Sequence, residues 1–181
     1  MPTLQIEKSV IVIVDVQGKL AQLMFDKDTL FANCAILAQA ANILDIPILW
    51  CQQNPKALGD TIPELTELLA HQTSIDKMCF SCARHPDFIE RLNQLKRGQI
   101  ILCGIETHIC VHQTAIDLLD NDCDVHVIAD AVSSRTESNK TIGLARMRDE
   151  GVTISSTEMA LFELLKTAEH PNFKQVAKLI K

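Results

Sequence analysis

The chain has 181 residues and a formal net charge of -6, with acids and bases interspersed along it. Phosphate binding needs clustered Lys and Arg, so nucleic acid is excluded as an expected partner, and no basic amphipathic segment suits a membrane surface. No Pro-, Gly- or Ser-rich linker divides the chain, which predicts one domain over residues 1–181.

Residues 1–4 lack the charged start and long apolar run of a secretory leader. The first apolar run, 10–14, is far too short to span a bilayer. Seven cysteines, an odd number, then read as free thiols of a cytoplasmic protein. The chain has no tyrosine, which excludes phenol chemistry.

Short apolar runs predict strands at 10–14, 46–50, 100–103, 125–128 and 152–154, with a weaker one near 73–78. The runs at 10–14 and 100–103 are apolar at every position, as in strands covered on both faces. Helical stripes lie between them: Leu30, Phe31, Cys34, Leu37, Ala41 and Leu44, then Val111, Thr114, Ala115, Leu118 and Leu119. Ser134 with Glu137 and Ser155 with Glu158 have capping-box spacing, Gly151 suits a helix stop, and a last helix is expected over 171–180. Alternating strands and helices imply an α/β fold: a three-layer α/β/α sandwich around a six-stranded, mostly parallel sheet. Right-handed crossovers and one reversal of winding give the order 3-2-1-4-5-6, with the ligand site beyond strands 1 and 4.

Asp15 directly follows strand 1 and Cys110 follows strand 4. Asp15 reads either as a reactive carboxylate or as a cap, with a turn at Gln17 and Gly18. Cys110 falls after a tight turn at Gly104, in the first turn of a helix starting near Thr107. Free N–H groups there favour a thiolate and can hold an oxyanion; a structural cysteine is the alternative. A thiol of pKa about 8.5 needs about 2.7 kcal/mol to become mostly ionised at pH 7. A helix terminus supplies about 0.3–1 kcal/mol, up to ~2 when partly buried. A cation must add the rest; a carboxylate beside the sulfur would oppose ionisation but could accept its proton.

Lys77 reads from composition as a surface lysine. Cys79 and Cys82 form one CxxC, open to redox or zinc use, without a second CxxC. His108 and His112 are four apart but lack the intervening Glu of a zinc-protease helix. His71, His85 and His170 read as exposed, and His126 as a satisfied strand histidine. Asp130 reads as a ligand-binding group or as a cap for the turn at Ser133 and Ser134.

Four segments in this order resemble the isochorismatase-like cysteine hydrolases: Val14-Asp15-Val16-Gln17, Lys77-Met78-Cys79-Phe80-Ser81, the run 103–111 ending in Ile109-Cys110-Val111, and Asp130-Ala131-Val132-Ser133-Ser134-Arg135. The stretches 52–59 and 61–65, with Ala145-Arg146-Met147-Arg148 and His170-Pro171, are similar to the isochorismatase-domain-containing subgroup. The resemblance implies the Rossmann-like fold of that family. It also implies Asp15 as general base, Lys77 as stabiliser of the thiolate and of transition-state charge, and Cys110 as nucleophile. A cis bond between Ile105 and Glu106 would aim the Glu106 and Cys110 N–H groups at an oxyanion. A homo-oligomer, dimer or larger, is implied as well.

Nicotinamidases of that family carry an Asp/His metal cluster after strand 2, where this chain has Cys51-Gln52-Gln53-Asn54-Pro55. No metal and no cofactor are therefore expected. The expected reaction is hydrolysis of a C–N bond in a small amide or carbamoyl compound through a thioester. Two other readings stand beside it: a non-catalytic small-molecule-binding or scaffold protein, and a redox protein using Cys79 and Cys82.

Overall fold

The computed structural model describes residues 3–181. Met1 and Pro2, on which part of the leader reading rests, lie outside the described residues. Six strands form one parallel sheet: β1 (Ser9–Val14), β2 (Ile48–Gln53), β3 (Ile75–Lys77), β4 (Gln99–Ile105), β5 (Asp124–Ser133) and β6 (Thr153–Ser155). Their order is β3-β2-β1-β4-β5-β6, every neighbouring pair parallel, as the winding rules predict. Every residue of β1 and β4 is buried. Each large apolar side chain so buried contributes roughly 1.5–3 kcal/mol.

Helices cover both faces. On one, α1 (Gly18–Gln22), α2 (Lys27–Leu44) and, further on, α8 (Thr157–Leu165) and α9 (Phe173–Ala177) pack around Ile11, Ile13 and Ile101. Short α3 (Pro55–Leu58) and α4 (Pro63–Thr66) lie in the connection between β2 and β3. On the other face, α5 (Pro86–Leu95), α6 (His112–Leu119) and α7 (Glu137–Asp149) enclose Val10, Val12, Ile100 and Leu102. The α2 stripe is buried at all six expected positions. No described helix is long and apolar enough to cross a membrane.

Several boundaries differ from the sequence expectation for definite reasons. Strand β2 continues past Trp50 because polar Gln52 and Gln53 are accommodated by hydrogen bonds. Gln52 bonds Thr61, Ser74 and Asp76, and Gln53 bonds Lys77 and Met78. Strand β5 runs on through Asp130, whose carboxylate accepts from Thr157 N and Oγ1 at 2.8 and 2.9 Å and so fixes the start of α8. Asp130 therefore neither caps its own turn nor lines the site. The caps of α7 and α8 are Thr136 and Ser156, which accept from Asn139 N and Met159 N, rather than Ser134 and Ser155. Ser155 is the buried end of β6, and Ser134 is paired with His108. Helix α9 is shorter than expected, and His85 and His170 are half-buried rather than exposed.

Gly104 is a strand residue, not a turn. Its φ of +117° falls where β4 shifts register against β5. A Cβ there would stand 2.1 Å from the Val14 carbonyl oxygen, so glycine lets β4 run against the end of β1.

Candidate active site

The carboxyl ends of β1, β3 and β4 bring Asp15, Lys77 and Cys110 together. Val14 pairs with Gly104 on one side and Cys51 on the other, while Gln53 pairs with Lys77. Asp15 directly follows β1 with φ +53°, a left-handed conformation that costs a non-glycine residue on the order of 1–3 kcal/mol and recurs where side chains are aimed at a site. Its N–H still donates to Cys51 O at 3.1 Å.

Lys77 is 1% exposed, not a surface lysine. Its ammonium donates to Asp15 Oδ2 at 2.7 Å, Gln53 Oε1 at 2.9 Å, Phe80 O at 3.0 Å and Cys79 O at 3.2 Å. Burial works against its charge, but the Asp15 carboxylate, with Cys82 and Cys110 adding to it, holds its pKa above the ordinary lysine value. Asp15 is pushed the same way by burial, and the ion pair with Lys77 offsets only part of that rise. The second carboxylate oxygen, Oδ1, is buried and has no hydrogen-bond partner.

Cys110 lies in a single π-helical turn, Thr107–Val111, that leads into α6. The Ile105–Glu106 peptide bond just before it is cis. Glu106 O accepts from both Ile109 N and Val111 N, which closes the wide turn. Gly143 of α7 packs against this turn; a Cβ there would lie 3.0 Å from the His108 Cα.

Burial, then the Asp15 carboxylate, raises the Cys110 thiol well above its ordinary range; Lys77 offsets this only in part. The expectation of a resting thiolate is therefore corrected. Desolvation and a neighbouring carboxylate outweigh the one cation, so the sulfur rests protonated beside a proton acceptor.

A cavity of about 130 Å³ opens onto the sulfur. Asp15, Gln17, Gln53, Glu106 and Cys110 line it with Leu20, Leu58, Phe80, Ile105 and Ile109. Lys77 is not among the lining residues; it acts on the site through its ion pair with Asp15 and through its charge close to Cys110. The Glu106 carboxylate accepts from Arg135 N at 3.1 Å and Nε at 3.2 Å. Gln17 is no simple turn residue. Its amide donates to Gln53 O and Gly59 O and accepts from Gln53 N, which ties the 54–60 loop down over the site.

The roles of Gln17, Gln53 and Phe80 were not visible in the sequence, because a lone Gln or Phe carries no spacing signal. Arg135 closes the 130–135 segment, where its type and spacing carried no role. The remaining candidates lie apart. His108 Nδ1 is 3.0 Å from Ser134 Oγ, His112 faces Glu150, and buried His126 sits 3.3 Å from Asp124 Oδ2. Among the described residues no His, Cys, Asp and Glu cluster is arranged to hold a metal. All seven cysteines are free thiols, and buried Cys82 lies against Cys51.

Comparison with known proteins places the chain. A family model of the isochorismatase domain matches residues 9–159. Isochorismatase domain-containing protein 2 of Danio rerio is 40% identical over 95% of this chain and 86% of its own length. The secreted isochorismatase effector Isc1 of Phytophthora sojae is 40% identical over 96% of this chain and 84% of its own. A solved structure described as MAR1 ribonuclease from Caenorhabditis elegans superposes with a TM-score of 0.93 at 37% identity, covering 99% and 92% of the two chains. This chain belongs to the isochorismatase family and groups with its domain-containing proteins.

Proposed function

We propose that the chain is a cysteine-dependent hydrolase that cleaves the C–N bond of a small amide or carbamoyl compound through a thioester on Cys110. The single observation that carries this is the Cys110 thiol at a small, partly open cavity, next to a carboxylate that Lys77 holds in place. Family membership supports the hydrolase class.

In the proposed reaction the Cys110 S–H proton moves to Asp15 as the sulfur bonds the substrate carbonyl carbon. The carbonyl π electrons become an oxyanion, held by the Glu106 and Cys110 N–H groups. Collapse of this intermediate breaks the C–N bond, and the amine leaves with the proton from Asp15. Water, giving a proton to Asp15, then attacks the thioester, and the sulfur departs and takes that proton back. A carboxylate whose pKa lies above its ordinary range is better matched to this double duty.

RNA cleavage, suggested by the description of the nematode relative, has less support here. No Lys, Arg or His lines the cavity, and phosphate recognition needs such groups. Assembly into a homo-oligomer belongs to the same proposal, supported by the exposed apolar side chains Leu23, Met78 and Phe80. Ammonia release from a panel of small amides, lost in Cys110→Ala, is the test; equal release by that variant would remove the proposal.

A further inference from the structure

We infer that this site selects uncharged amides with a short apolar acyl chain, and that Leu20 and Leu58 help set the chain length. The inference rests on the proposed hydrolysis for its reaction but on the cavity alone for its selectivity.

Size is the first ground. Drug-sized ligands occupy cavities of about 300–1,000 Å³. The cavity here is about 130 Å³. An apolar cavity of ~150 Å³ holds benzene, which sets the capacity at about six non-hydrogen atoms, the size of butyramide. A longer chain must leave past Leu58 and Phe80, which are already partly exposed.

The second ground is that the polar lining away from the reacting end is already engaged. Gln17 uses both ends of its amide on Gln53 and Gly59. Gln53 gives Oε1 to Lys77 and Nε2 to the Met78 carbonyl. Glu106 Oε2 is bound by Arg135 and Asp15 Oδ2 by Lys77, which leaves Asp15 Oδ1 for the proton transfer with Cys110. The rest of the wall is Leu20, Leu58, Phe80, Ile105 and Ile109. A charged substituent at the far end of the acyl chain would lose its hydration among these apolar side chains, while the unpartnered Asp15 Oδ1 belongs to the reacting end beside Cys110. An anion would in addition face the two carboxylates.

The experiment compares acetamide, propionamide, butyramide, hexanamide, succinamate and 4-aminobutyramide as substrates of the wild-type protein. From acetamide to butyramide kcat/KM should rise about fourfold per methylene, the equivalent of ~0.8 kcal/mol per buried CH₂. Hexanamide should gain nothing over butyramide. Succinamate and 4-aminobutyramide should fall at least ~100-fold below it, the scale on which sites reject unpaired polar groups. Leu20→Ala should move the optimum towards hexanamide, and Leu58→Ala likewise.

Continued gain to hexanamide, or a charged amide processed as well as butyramide, overturns the inference while leaving the hydrolysis standing. The same amides are titrated into Cys110→Ala by ligand-observed NMR. The same order of binding there, without turnover by the wild type, keeps the selectivity and removes the hydrolysis. Absent binding, or charged amides binding as well as butyramide, overturns the selectivity.

Discussion

Lys77 Nζ sits 2.7 Å from Asp15 Oδ2, with both side chains almost fully removed from solvent. Breaking a buried pair leaves one charge uncompensated, which costs about 3–5 kcal/mol. Lys77→Met should therefore destabilise the fold by about that amount at neutral pH, read by denaturant unfolding. Adding Asp15→Asn to Lys77→Met should recover most of the loss. A double variant less stable than either single one would show that the pair is not the coupling unit.

The same pair predicts a pH dependence of stability. Lys77 has a folded pKa above its unfolded one, so its contribution is complete below the ordinary lysine value. That contribution is lost as pH climbs from the ordinary value through the raised one. Asp15, also raised, acts in the opposite sense to a usual salt-bridged carboxylate. Its burial favours the protonated form, and that preference fades as pH rises through its raised value. Unfolding free energies of the wild type against Lys77→Met, followed upward from neutral pH, should converge in the alkaline range.

Asp15→Asn separates thiol ionisation from catalysis. The carboxylate is one cause of the high Cys110 pKa, so its removal should lower that pKa and speed alkylation of Cys110 by iodoacetamide at a fixed pH. Amide turnover should nevertheless fall by about 10²–10⁴-fold, the usual worth of a general base. In the wild type, kcat/KM should drop on the acid side with a midpoint above the ordinary carboxylate range, because turnover needs Asp15 ionised. Slower alkylation would contradict the claim that the Asp15 carboxylate opposes ionisation of Cys110, and undiminished turnover would contradict its assignment as proton acceptor.

Gly104 positions the end of β1. Gly104→Ala would force a Cβ to within 2.1 Å of the Val14 carbonyl, from a left-handed φ that alanine avoids. Neither backbone can yield without moving Asp15. A loss of about 3 kcal/mol or more is expected in denaturant unfolding, within the range of backbone strain and overpacking.

The sheet order and the pairing of Asp15 with Cys110 were legible because they follow from strand succession and crossover handedness. The apolar runs of β1 and β4 leave no other reading of the centre. Lys77 was another matter. Its neighbours Asp76 and Met78 are exposed, so only the resemblance raised it above a surface lysine. The far ends of β2 and β5 were hidden because Gln52, Gln53 and Asp130 are polar residues satisfied by partners distant in sequence. The resting state of the sulfur was misread for a related reason. A helix terminus is visible in a sequence, whereas burial and the approach of Asp15 to Cys110 are set by tertiary packing.

The most direct test is mass spectrometry of wild-type protein quenched in acid during turnover of butyramide. The account predicts a butyryl group on the peptide containing Cys110, lost on treatment with hydroxylamine. That adduct should accumulate in any variant that slows the water step. Sustained ammonia release with Cys110 never acylated, or equal release by Cys110→Ala, would contradict it.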